Sequence, residues 1–183
     1  MVRGFSLFEL VVFLCITTLI SIWSYPVVSD ALLRAQATAG INRLAGAVNF
    51  TRATAVIKQQ TATICPMRAD GKCSSAWHNK LTVFLDRNQN GRREADESIV
   101  ETVASLNDET QVRWRSFGNR QYLRFSARGY TLFQNGNFVV CPEKGNARLA
   151  RQLIINVQGR ARLNHTRNEA GFLIDRSGKQ LRC

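Results

Sequence analysis

Residues 5–25 form a mostly apolar run behind a four-residue leader containing Arg3, and no other feature constrains the architecture of the chain so strongly. A helix of that length crosses the hydrocarbon core of a bilayer. A secretory signal would have a shorter apolar stretch followed by a small-residue cleavage site, and these flanks do not fit it. Within the run stands one carboxylate, Glu9. A charge inside an apolar helix is costly in lipid and calls for a partner, which an amine created by cutting just ahead of Phe5 would supply.

After Pro26 the pattern stays helical. Ile41, Leu44, Ala45, Val48, Arg52, Ala55 and Val56 follow an i, i+3, i+4, i+7 rhythm, with Asn42, Arg43, Asn49 and Lys58 opposite. One helix from about Phe5 to about Gln60 is expected, roughly 80 Å long at 1.5 Å per residue; two helices divided at Pro26 are the alternative. From Thr61 short alternating runs separated by turn residues predict strands at 61–65, 81–85, 99–103, 112–116, 122–125, 130–133, 138–141, 153–157 and 160–163. Asn90-Gly91 and Asn135-Gly136 predict hairpin turns. The expected class is α+β, one long N-terminal helix packed on an antiparallel β domain. Its divisions are a leader at 1–4, a membrane or assembly half-helix at 5–25, an amphipathic half-helix at 26–60 and a globular part at 61–183. No internal repeat, linker or second domain is visible, and 45% apolar residues suffice for a packed core.

The charge is +12 and uneven, since 14 of 25 basic residues but only six of 13 acids follow residue 100. Twenty of the 25 are Arg, the side chain whose planar fork suits phosphate and carboxylate. Between residues 110 and 142 stand Arg113, Arg115, Arg120, Arg124 and Arg128 with no acid among them. Strand alternation places Arg113 with Arg115, and Tyr122 with Arg124, on outward faces, where Tyr122 is available for stacking. In Gly159-Arg160-Ala161-Arg162 the two guanidinium groups point to one side about 7 Å apart, close to the spacing of neighbouring phosphates on a strand. A polyanion, anionic lipid or plain solvent could face such a surface.

Cys15 lies in the apolar run, leaving Cys65, Cys73, Cys141 and Cys183 for a disulfide-permissive compartment. Local closure pairs Cys65 with Cys73 and leaves Cys141 with Cys183, although four cysteines allow three pairings. Cys65, Cys73 and His78 match no common zinc spacing. Asp86-Arg87-Asn88-Gln89-Asn90-Gly91 with Glu97 satisfies a calcium-loop pattern, but predicted strands flank it and Arg87, Arg92 and Arg93 would repel a cation. The same residues also describe a polar turn. No metal or cofactor is expected. Two histidines and no nucleophile, phosphate-loop or dinucleotide motif speak against an enzyme.

Gly4-Phe5-Ser6-Leu7-Phe8-Glu9-Leu10 resembles the type IV prepilin signal. The resemblance implies cleavage after Gly4 by a prepilin peptidase, methylation of Phe5, and pairing of Glu9 with a neighbouring subunit's N-terminus; Pro26 falls where pilin helices bend. Segments 83–91, 125–129, 137–141 and 154–162 resemble, in order, the GspH/FimT group of minor pilins and pseudopilins. That implies a type IV pilin-like fold and a single-pass prepilin in the bacterial inner membrane. The globular part would lie in the periplasm and later in a filament with other pilins. Cys141 with Cys183 resembles the C-terminal loop that many pilins tie down. Gly159-Arg160-Ala161-Arg162 resembles the Gly-Arg-x-Arg element of FimT-like minor pilins, which implies binding of double-stranded DNA in natural transformation. By that resemblance Arg160 and Arg162 are primary phosphate contacts, with Arg167, Arg176, Lys179 and Arg182 in the basic tail extending the track; Arg113, Arg115, Arg120 and Arg124, read from charge and alternation, are further secondary contacts. The alternatives are a structural minor pilin that primes assembly, or the H-type pseudopilin of type II secretion.

Overall fold

Ser6 begins the long helix that the apolar run predicts. The computed structural model describes residues 6–106, 110–142 and 146–183, so Gly4 and Phe5 lie outside the described residues. Helix α1 spans Leu7–Lys58. The Ser6 hydroxyl accepts the Glu9 N–H at 3.2 Å, and the Glu9 carboxylate accepts the Ser6 N–H at 3.2 Å, a reciprocal cap that satisfies two otherwise orphaned donors. The helix continues through Pro26, so the chain does not divide there. It stops where Gln59 turns left-handed (φ 51°), with the Gln59 and Gln60 N–H groups donating to the Val56 and Ala55 carbonyls.

No described residue of α1 before Ala37 is buried, and the apolar side chains from Leu7 to Val28 point into open space. Beyond it one face closes on the β domain through Ala37, Gly40, Ile41, Leu44, Ala47, Val48, Thr51, Thr54 and Ala55. Periodicity had named Ala45 and Val56 instead of Gly40, Ala47 and Thr51; Val56 is exposed and Ala45 only half-buried. Small residues make the contact because the helix sits close. A Cβ on Gly40 would already touch Val140 at 3.4 Å.

The strands form two four-stranded antiparallel sheets. They are β1 (Ala62–Pro66), β2 (Leu81–Leu85), β3 (Ile99–Val103), β4 (Gln111–Ser116), β5 (Leu123–Phe125), β6 (Gly136–Cys141), β7 (Arg151–Ile155) and β8 (Ala161–Asn164). The first sheet has the order β3-β2-β1-β5 and the second β4-β6-β7-β8. Helix α1 crosses both, and their inner faces bury Ile64, Val83, Phe125, Phe138, Leu153 and Ile155 against it. Trp77 meets Phe138 edge-on at 4.7 Å while Trp114 stacks on Phe138 at 4.1 Å, geometries that add to simple area burial.

Three expectations change. Residues 130–133 are not a strand: the Thr131 N–H donates to Val157 O (3.0 Å) and the Gln134 N–H to Thr131 O (3.0 Å). Leu132 and Phe133 are therefore left-handed at φ 49° and 65°. Aromatic and branched residues suggested a strand here, but a tight turn takes their backbone. Asn135-Gly136 is in turn not a hairpin bend, since Gly136 opens β6 opposite both Ser116 and Ile155. It is glycine because a Cβ would lie 2.0 Å from Arg115 O. Asn90-Gly91 sits within the long 86–98 connection rather than in a two-residue loop, and Gly91 (φ 72°) packs under the Tyr122 ring.

That connection is closed by its own acids. Buried Asp86 accepts from the Thr63 hydroxyl (2.7 Å) and the Asn90 and Gly91 N–H groups (both 3.0 Å). Glu97 accepts from the Arg87 (2.8 Å) and Glu94 (3.1 Å) N–H groups, and burial pushes its carboxyl above the usual range. The oxygens that resembled calcium ligands serve backbone donors. No group of three metal-type side chains occurs among the described residues.

Candidate nucleic-acid interface

Register in the second sheet decides which arginines share a surface. Arg115 of β4 pairs with Asn137, Asn137 with Ile154, and Ile154 with Arg162 of β8. The four therefore lie on one rung and one face, with the two arginines at opposite edges, about 14 Å apart at three strand spacings. The next rung runs Arg113, Val139, Gln152 and Asn164. Because Val112, Trp114, Phe138, Leu153 and Leu163 occupy the alternate positions in the core, this arginine-bearing face must point away from α1.

Arg160 precedes β8 on the same side as Arg162. Its position is fixed by the β7–β8 turn: the Gly159 N–H donates to Asn156 O and the Arg160 N–H to the Asn156 side chain, both at 2.9 Å. Gly159 is left-handed (φ 74°), and a Cβ there would lie 2.1 Å from Gly129 O. Arg52 of α1 holds that same carbonyl through a 3.0 Å hydrogen bond. The glycine of the motif thus docks the turn against the helix, and the two arginines are what it presents. Arg113, Arg115, Arg160 and Arg162 are all exposed, and no ion pair engages them among the described residues.

The C-terminal segment lies over part of this face. The sulfurs of Cys141 and Cys183 are bonded, as are those of Cys65 and Cys73, which selects one of the three pairings. Val139, Cys141, Ala150 and Leu173 form a small second core beneath the segment, with Leu181 against it. Between segment and sheet runs a groove of about 370 Å³ lined by Arg113, Arg115, Lys179 and Arg182, with Asp175 at its side. The Asp175 carboxylate is engaged in its own turn, accepting from the Ser177 hydroxyl (2.7 Å) and the Lys179 N–H (2.9 Å). These bonds, the Ser177 hydroxyl foremost, hold it below the usual carboxylate range. Arg176 is exposed in the same turn.

Other candidates lie elsewhere. Arg124 belongs to the first sheet, donates to Gln89 O and covers the Tyr122 ring at 5.5 Å, so this pair closes the 86–98 connection and is not an open stacking platform. Arg120 is exposed in the bend after β4. Arg167 donates to the carbonyls of Arg148 (2.8 Å), Gly171 (2.6 Å) and Ala150 (3.4 Å), tying the C-terminal segment to the start of β7. Sequence patterns did not single out Arg151 beside it, which stood two residues ahead of the strand predicted at 153–157 and in the structure opens β7.

The family described as Type II transport protein GspH matches residues 40–159. The match ends at Gly159, one residue short of Arg160. Among solved structures the chain is similar to the type IV minor pilin FimU of Pseudomonas aeruginosa (strain PAO1), at 18% identity over 71% of this chain and 89% of that one, with a TM-score of 0.57. It is also similar to the minor pseudopilin EpsH from the type 2 secretion system of Vibrio cholerae, at 12% identity over 70% of this chain and 95% of that one, with a TM-score of 0.50. These likenesses establish the pilin-like fold. No curated protein sequence matches the chain.

Proposed function

The chain belongs to the GspH family, and we propose that within it the protein is a minor pilin of a type IV pilus that binds double-stranded DNA for uptake. The observation that carries this reading is the shared face of Arg115 and Arg162, with Arg113 and Arg160 beside them and no carboxylate paired to any. A rigid sheet fixes the spacing of the backbone positions that carry the guanidinium groups, and released counterions drive their contact with phosphates. Backbone phosphates are alike in every sequence, so recognition is sequence-tolerant. Lys179 and Arg182 extend the positive track along the groove; Arg176, in the Asp175 turn, and Arg120, in the bend after β4, are exposed secondary contacts in this reading.

Position along α1 supports the same reading. The β7–β8 turn sits beside Arg52, whereas the membrane-facing end of the domain begins near Ala37. The turn thus stands roughly 20 Å farther from the apolar half-helix at 1.5 Å per residue. In a chain inserted through residues 5–25 and cleaved after Gly4, Arg160 and Arg162 would then stand at the end of the domain away from the membrane.

Since every buried residue of α1 lies at or beyond Ala37, a chain starting at Ala31 keeps the whole core. Titrating that domain with duplex DNA at two salt concentrations tests the proposal. Binding should weaken steeply with salt, and Arg160→Gln with Arg162→Gln should lower the slope of log K against log salt by about 2. Absence of binding at low salt, or a double variant that binds like the parent, would overturn it. The reading then favoured is a structural subunit or H-type pseudopilin, to which the family's description points.

A further inference from the structure

Several of the arginines are already engaged by the fold. Arg52 and Arg124 donate to backbone carbonyls, and so do Arg151 and Arg167, beside a groove they share with Thr38 and Asn42 near the start of the buried stretch of α1. Arg87 and Arg128 are not engaged. Both are exposed, and no hydrogen bond or ion pair holds either guanidinium group among the described residues. They line one groove of about 710 Å³ at the far end of α1, together with Gln59, Gln60, Gln89 and Tyr130. No carboxylate lines it. Its volume falls within the roughly 300–1,000 Å³ of ordinary ligand sites.

The groove forms because the chain after β5 turns back on the helix end. The Gly129 N–H donates to Ser126 O at 2.8 Å and the Ser126 N–H to Tyr130 O at 2.9 Å. The Gly129 carbonyl, held by Arg52, is the one that Gly159 approaches. Tyr130 and Arg160 each follow one partner of that contact, and the Thr131 N–H ties the next residue to Val157 O. The groove therefore adjoins the turn that presents Arg160.

Two aromatic rings are left uncovered here. Tyr130 is 49% exposed, and Phe133, left-handed in the following turn, is 75% exposed. Bulky residues seldom take that backbone, and an exposed ring gains no burial in return; positions of this kind gather at ligand sites. Arginines alone would serve a duplex, in which the faces of the bases are covered by their neighbours. An exposed ring contributes only where a base face is free, which is the case in an unpaired strand. The Gln60 and Gln89 amides carry both a donor and an acceptor for base edges.

We propose that this groove holds an unpaired DNA strand, such as the frayed or overhanging end of a duplex carried by Arg160 and Arg162. A base stacks on the Tyr130 ring while Arg87 and Arg128 meet the phosphates of the strand. The proposal rests on the reading that the protein binds DNA, and it adds where a strand end is received.

The full chain in uncharged detergent tests it, with a duplex that carries a single-stranded tail of about six nucleotides compared with the same duplex whose tail is abasic. The two ligands have equal charge, so any difference belongs to the bases. The base-bearing tail should bind about tenfold more tightly, and a fluorescent adenine analogue within it should be quenched on binding. Tyr130→Ala should bring the ratio of the two affinities close to one, and Tyr130→Phe should keep it. Arg87→Gln with Arg128→Gln should lower the slope of log K against log salt for the tailed ligand by about 1.4. Equal affinities in the parent, or a ratio indifferent to Tyr130→Ala, overturn the strand groove while leaving duplex binding standing. A chain that binds neither these ligands nor a blunt duplex at low salt would sink the DNA reading itself.

Discussion

Gly159 illustrates how one residue serves two levels at once. In the sequence it reads as the first letter of a basic motif; in the structure it is the contact that lets the β7–β8 turn reach the Gly129 carbonyl and Arg52. Left-handed backbone and a 2.1 Å clash oppose any side chain there. Gly159→Ala should cost about 3 kcal/mol of stability, measured by denaturant unfolding of the domain. On the proposed DNA-binding reading it should also weaken binding by misplacing Arg160, since no charge is lost. Asp86 belongs to the same lesson, because its oxygen-bearing pattern fits a cation loop or a polar turn alike, and only the geometry shows which N–H and O–H donors its carboxylate accepts.

Among the elements, the C-terminal segment is the one whose place could least be read locally. It has hardly any strand of its own and lies on the second sheet through Leu173, Leu181 and the bond from Cys183 to Cys141. A bridge across 42 residues removes about 4 kcal/mol of unfolded-state entropy on the chain-entropy account. Replacing Cys141 and Cys183 by Ser should lower stability by about that amount and free the segment, seen as faster amide exchange from Leu173 onward. DNA affinity should fall too if Lys179 and Arg182 act from the groove. Within the segment, the Asp175 turn carries a pH dependence. A carboxyl held below its ordinary value by native hydrogen bonds stabilises the fold above that range and stops doing so as pH falls through its folded value. Exchange of the Ser177 and Lys179 amides, whose N–H groups Asp175 accepts, should therefore accelerate on acidification below the ordinary carboxylate range, relative to the intrinsic rate. Asp175→Asn should remove that dependence.

The molecule as a whole is a long helix carrying an open apolar half and a clamped half, with basic groups at both ends of the domain that the clamped half supports. The open half calls for neighbours, because exposed apolar surface of that extent is unstable in water; in the proposed pilin role they are lipid first and other subunits afterwards. Processing at the resemblance site is checked by sequencing the N-terminus of the protein from cells with a prepilin peptidase. A methylated Phe5 is the expected first residue, and any other start contradicts it. The apolar run, the helical rhythm and the alternating strands were legible because each is a local periodicity, and the family resemblance followed from their order. Register was not legible. Whether Arg115 and Arg162 share a face depends on hydrogen bonds passed across four strands, and whether Arg167 joins them depends on which backbone carbonyls it reaches. The sequence by itself determined a chain with one long helix, apolar in its first half, and rich in arginine. Only the tertiary structure decided which arginines stand near the open half of the helix and which at the far end of the domain, since that depends on where each strand crosses the helix.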